Sequence, residues 1–79
     1  MARSKLPRSL SGKEVVKILC NRFGFRVSRQ KGSHMVLVRY ENEKKIVTVV
    51  PLHNELAVGT LRGVLELAKV DLEEFLRFL

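Results

Sequence analysis

The order of apolar and polar positions divides the chain into six short elements. Ser11-Gly-Lys-Glu14 has the S-x-x-E form of a capping box, and Val16, Leu19, Cys20 and Phe23 then recur at i, i+3, i+4 and i+7. That spacing predicts an amphipathic helix closed at Gly24, where a positive φ suits a C-cap. Phe25-Arg-Val-Ser-Arg29 alternates like a half-buried strand, and Lys31-Gly32-Ser33 reads as a hairpin turn. A second strand follows from His34 through Tyr40. Glu41-Asn-Glu-Lys44 is a polar turn, and Lys45 to Val50 is a β-branched third strand stopped by Pro51. Beyond the loop at 52–57, Leu61, Val64, Leu65 and Ala68 repeat the helical period from Val58 onward. Asp71 then caps a short last helix with Phe75, Leu76 and Leu79 on its apolar side.

Three strands joined by short turns form an antiparallel meander. Helices on one of its faces complete a two-layer α+β sandwich of order α-β-β-β-α-α. The other face, with the first strand, is left open to a ligand. This arrangement is similar to the double-stranded-RNA-binding fold, whose members read duplex RNA by shape and through 2′-OH and phosphate contacts. Residues 1–10, with Pro7 and no apolar period, read as a flexible basic arm, and residues 11–79 as a single domain. A chain of 79 residues has room for one core and no second domain.

Charge sharpens the picture. The 15 Lys and Arg against 8 Asp and Glu give +7, an excess that points to a polyanionic partner. The excess is segregated. Through Ser33 nine basic residues, among them Arg26, Arg29 and Lys31, face one acid, Glu14, for +8; from His34 onward six basic and seven acidic residues sum to −1. The first helix and first strand therefore carry the cationic surface. The lone Cys20 makes no internal disulfide, and two histidines with one distant cysteine offer no zinc spacing. We therefore expect no metal and no cofactor. With no apolar h-region at the start and no apolar run of about 18 residues, a cytoplasmic protein that does not engage a membrane is expected.

Gln30-Lys-Gly-Ser-His34 resembles the signature of the HicA (YcfA-like) toxin family. Arg22-Phe-Gly-Phe25 is similar to that family's helix-to-strand junction, Val47-Thr-Val-Val-Pro51 with His53 to its third strand, and Val58-Gly-Thr-Leu-Arg62 to the start of its second helix. The resemblance covers roughly residues 10 to 70. It implies an mRNA interferase of a type II toxin–antitoxin system, a metal-independent endoribonuclease with one catalytic histidine, here His34. It also implies a cognate antitoxin that masks this residue, with the toxin monomeric when alone and in a hetero-oligomer when bound. Two departures stand out. Met35, Val36 and Leu37 follow His34 where a second histidine or an aromatic is usual, and Lys69-Val70 stand where a glycine is common at the end of the second helix.

The chemistry fits that assignment. Metal-free RNA cleavage needs a base for the 2′-OH proton and stabilisation of the charge developing on the phosphate. An imidazole, which exchanges protons near neutral pH, suits the first task. Arg29 and Lys31 suit the second, with Gly32 allowing close backbone approach and Ser33 donating one more hydrogen bond. His53 reads as a loop residue or a second RNA contact, Thr60 as a structural helix-start residue. The phenylalanines read as packing, and Tyr40 as either packing or base stacking. Two other readings use the same surface: a non-catalytic module that holds structured RNA, and a basic face that serves an acidic protein.

Overall fold

The computed structural model describes residues 8–79. The chain runs α1 (Gly12–Arg22), β1 (Arg26–Lys31), β2 (His34–Glu41), β3 (Lys44–Pro51), α2 (Val58–Ala68) and α3 (Leu72–Leu76), the α+β order expected. The strands form one antiparallel sheet in the order β1-β2-β3.

Local signals account for most boundaries. The capping box at the start of α1 is formed in both directions: Ser11 Oγ accepts the Glu14 N–H at 3.1 Å, and the Glu14 carboxylate accepts the Ser11 N–H at 3.0 Å. That backbone bond, followed by the bond from Arg8, holds the Glu14 carboxyl below the usual carboxylate range. Folding thus favours its charged form, so this contribution is present above about pH 4.5 and fades as pH falls through the lowered value. Gly24 has φ 76, and beyond it the Phe25 N–H reaches back to the Leu19 carbonyl at 3.2 Å. Both hairpins turn on two residues. Gly32 alone takes positive φ (60) in the first, a type II′ pattern, while Asn42 and Glu43 (φ 53 and 69) both do in the second, as type I′ requires. Asp71 caps α3 by accepting the N–H groups of Glu73 and Glu74. Lys69, where the family resemblance leads one to expect glycine, ends α2 in the left-handed region at φ 60, ψ 39.

The core lies between the helices and one face of the sheet. Leu61, Val64, Leu65 and Ala68 of α2 are buried, as their spacing predicts. They pack in one cluster with Leu37, Ile46 and Val50 of the sheet and with Phe75 of α3. Thr48, the one buried polar residue among those described, donates its hydroxyl to the Val64 carbonyl at 2.7 Å and so ties β3 to α2.

Three expectations shift. The inward row of α1 is Gly12, Val15 and Leu19, one step round from the Val16 row, with Val16, Cys20 and Phe23 half-buried at its margin. β1, expected to be half-buried, is exposed at all six positions, and only Phe25 before it enters the core. Arg39 covers the Phe25 ring, its guanidinium 5.2 Å from the centroid. Finally, residues 1–7 of the basic arm lie outside those described, but Leu10, placed in that arm, is fully buried and its carbonyl accepts the Leu56 N–H at 2.8 Å. The packed domain begins before the helix cap.

Gly12 lies directly against the end of β3. A Cβ built there would lie 2.0 Å from the Pro51 carbonyl oxygen and 2.8 Å from the Leu52 Cα, both backbone atoms that no rotamer change can move aside. Gly12→Ala should therefore lower stability by about 3 kcal/mol, the upper part of the usual overpacking range, measured as a fall in urea midpoint at unchanged slope. Thr48→Val, which removes the hydroxyl bond to α2, should cost about 1 kcal/mol in the same assay.

Candidate active site

The open face of the sheet is set by strand parity. Leu37 is fully buried, so its neighbours at two-residue steps, Met35 and Arg39, also lie on the helix side, and His34, Val36, Val38 and Tyr40 lie on the other. Their cross-strand partners complete that outer face. Lys31 and Pro51 flank His34, Arg29 and Val49 flank Val36, Arg26 and Val47 flank Val38, and Lys45 pairs with Tyr40. His34 is exposed, as an accessible imidazole requires.

A strict alternation in β1 would put Arg26 and Arg29 on opposite faces. The ladder instead slips at Ser28: Val27 pairs with Leu37 and Arg29 with Val36, leaving Ser28 unpaired as the extra residue of a bulge. The slip restores Arg29 and Lys31 to the face that Arg26 already occupies. Three cations thus stand in a row along the edge, with Lys31 directly opposite the histidine. Arg26 was not among the candidate residues, because the bulge that brings it into line leaves no mark in the period-2 pattern. Lys45 was missed for a different reason, its partner Tyr40 lying at the far end of the strand.

The turn beside His34 is held in place. The Gln30 side-chain amide donates to the Gly32 carbonyl at 2.9 Å, and the Ser33 carbonyl accepts the Leu52 N–H at 2.7 Å. Nothing lies within 4 Å of a Cβ built at Gly32, so the backbone of the turn is open to an incoming phosphate. The structure therefore gathers Arg29, Lys31, Gly32, Ser33 and His34 into one corner. The same Leu52 bond explains why Pro51 fits in a strand. With Ser33 and Leu52 as the hydrogen-bonded pair, His34 and Pro51 are a non-hydrogen-bonded pair, in which Pro51 lacks no ladder donor and the two Cα atoms approach to about 4.5 Å.

Between the cationic edge and β3 runs a strip of valines. Val36 and Val38 are half-buried, and Val47 and Val49 are 39% and 37% exposed. Tyr40, at the far end of the strip, is 66% exposed and so stands outside the core. Phe25 and Phe75 are buried, and Phe23 stacks on Phe75 at 6.3 Å between centroids, which makes these rings core. Thr60 is exposed in the first turn of α2, where the cap position is Ala57 and makes no side-chain bond, so the capping role is absent. Burial pushes the Cys20 thiol up, away from nucleophilic use. Among the described residues no three His, Cys, Asp or Glu side chains gather as a metal site, and no helix is long and apolar enough to cross a membrane.

A family model described as the HicA toxin of bacterial toxin–antitoxin systems matches residues 12–70. That span begins at the first residue of α1 and ends just after α2. No curated protein matches the chain.

If the row Arg26, Arg29 and Lys31 contacts nucleic-acid phosphates, each contact contributes to the salt dependence of binding. Replacing Arg29 and Lys31 by Ala should lower the slope of log affinity against log salt by about 0.7 per cation on single-stranded RNA, with Arg62→Ala on α2 leaving it unchanged. Fluorescence anisotropy across a salt series reads this directly.

Proposed function

Because this chain belongs to the HicA toxin family, and is the toxin of a toxin–antitoxin pair, we propose that it is an endoribonuclease that cleaves mRNA without a metal and uses His34 as its catalytic base. The observation that carries the reading is the corner itself: an exposed imidazole on the central strand with Lys31 opposite it and the open Gly32-Ser33 turn beside it.

In this reaction His34 takes the proton of a ribose 2′-OH, and the 2′-oxygen attacks the adjacent phosphorus. The P–O5′ bond breaks, giving a 2′,3′-cyclic phosphate and a departing 5′-oxygen that must take up a proton to become a free 5′-hydroxyl end. Lys31 and Arg29 stand where they neutralise the charge that builds on the non-bridging oxygens, and the Ser33 hydroxyl adds a neutral donor. Arg26 and Tyr40 extend the track along the sheet, one for backbone phosphate and one for a base. Such a track holds a single strand with its sugar exposed, which suits attack by the 2′-oxygen.

The antitoxin is the second partner. Masking His34 requires a surface that covers the same corner, and acidic side chains opposite Arg26, Arg29 and Lys31 favour its docking by charge complementarity. RNA and antitoxin then compete for one face.

The test is cleavage of a labelled mRNA by the purified protein in EDTA. His34→Ala should lower the rate by about 10²–10⁴-fold while retaining the circular dichroism spectrum and RNA affinity of the wild type. RNA left intact by both proteins, with binding retained, identifies instead a non-catalytic RNA-binding module.

A further inference from the structure

The mechanism above supplies a proton acceptor for the 2′-oxygen and leaves the departing 5′-oxygen without a donor. We propose that His53 is that donor, making the site a two-histidine acid–base pair; the inference rests on the ribonuclease reading of His34.

The register places the two histidines together. β2 begins at His34 and β3 ends at its partner Pro51, and the Leu52 N–H to Ser33 carbonyl bond carries the ladder one residue further. His53 follows, level with the Gly32-Ser33 turn. Counted by the two-residue period of the pleat, it falls on the outer face with Pro51 and His34. Two residues of chain span at most about 7 Å, so the backbone bearing His53 stays within one nucleotide's reach of the backbone bearing His34.

The backbone here is clamped while the imidazole is free. The His53 carbonyl accepts the Gly12 N–H at 2.9 Å and its neighbour Leu52 is fixed to Ser33, yet the His53 side chain is exposed and makes no hydrogen bond to another described residue. The close approach of α1 that forbids a Cβ at Gly12 is what brings these contacts together. The charged and titratable groups on the elements meeting at this corner are His34, Lys31 and Arg29 of the hairpin, Lys13 and Glu14 at the start of α1 with Arg8 on Glu14, and Glu55 in the following loop. Glu14 is already engaged by Ser11 and Arg8, and Glu55 by Ser9 Oγ at 3.2 Å. Both of these carboxylates, among the described residues, already accept hydrogen bonds, whereas His53 is an exposed imidazole with no side-chain partner at the end of β3.

The proton inventory closes. His34 gains the 2′-OH proton as the P–O2′ bond forms, His53 gives its proton to the 5′-oxygen as the P–O5′ bond breaks, and exchange with solvent resets both. A base active when neutral and an acid active when protonated give a rate that rises and then falls with pH.

The experiment uses the full chain in EDTA and an oligonucleotide spanning a cleavage site mapped with the wild type, made with either the natural 5′-oxygen or a 5′-bridging sulfur at the scissile bond. A thiolate departs without a proton, so the sulfur substrate bypasses the acid. His53→Ala and His53→Gln should slow the oxygen substrate by about 10²-fold, lose the falling alkaline limb of the kcat/KM profile, and recover to within about tenfold of wild type on the sulfur substrate. His34→Ala should stay slow on both. Retention of both limbs in the His53 variants, or a defect that sulfur does not relieve, overturns the role of His53 while leaving His34 in place. Wild-type protein that yields no cleavage site to map on mRNA in EDTA overturns the ribonuclease reading and this inference with it.

Discussion

Leu37, at the middle of the central strand, is fully buried between the sheet and its helices. A three-stranded sheet in a domain of this size has helices for one face only, and an apolar side chain of this kind contributes about 1.5–3 kcal/mol when it goes inside. The pleat then leaves no choice for the rest of β2. His34, three residues earlier, is on the solvent side, together with Val36, Val38 and Tyr40. The opposite parity would bury the imidazole and expose Leu37. The exposure of His34 thus depends on a packing contact made on the opposite face of the sheet.

The same logic runs through the neighbouring strands, with one addition. In β3 the inward residues Ile46, Thr48 and Val50 are all buried, and Thr48 spends its hydroxyl on a helix carbonyl, so its polarity costs little. β1 has no such anchor. It is an edge strand exposed along its length, and the slip at Ser28 re-aims its side chains without disturbing the core. The central strand therefore fixes the histidine, and the edge strand is free to arrange charge around it.

How far this could be read from the chain varies with the interaction involved. Helix starts at Ser11 and Asp71, the glycine at position 24 and the positions of both turns are local events, decided by side chains within a few positions, and they were legible. So was the inward face of α2, since Leu61, Val64, Leu65 and Ala68 form one unbroken row. The α1 row was harder, because Val15 and Val16 are equally apolar neighbours and only the approach of Gly12 to β3 selects between them. The two faces of β2 were undecided by composition, since each side carries apolar residues; the helices decide it. The candidate corner of Arg29, Lys31, Gly32, Ser33 and His34 was contiguous in sequence and so visible. Arg26 depended on a bulge, and the nearness of His53 on strand pairing across the sheet, neither of which leaves a periodic signal.

The cationic edge has a second consequence, for solubility. β1 is the outer strand on its side of the sheet, and the backbone groups it turns away from β2 form a template that another chain's strand can join. A bulge and a run of Arg and Lys are two of the devices that discourage such edge-to-edge growth, and β1 carries both. The same charges therefore also repel a second copy of the same protein. An attenuated variant made by stripping these charges would gain an adhesive edge beside an exposed valine strip, and substitutions that preserve net charge are the sounder way to disarm this protein without making it aggregate.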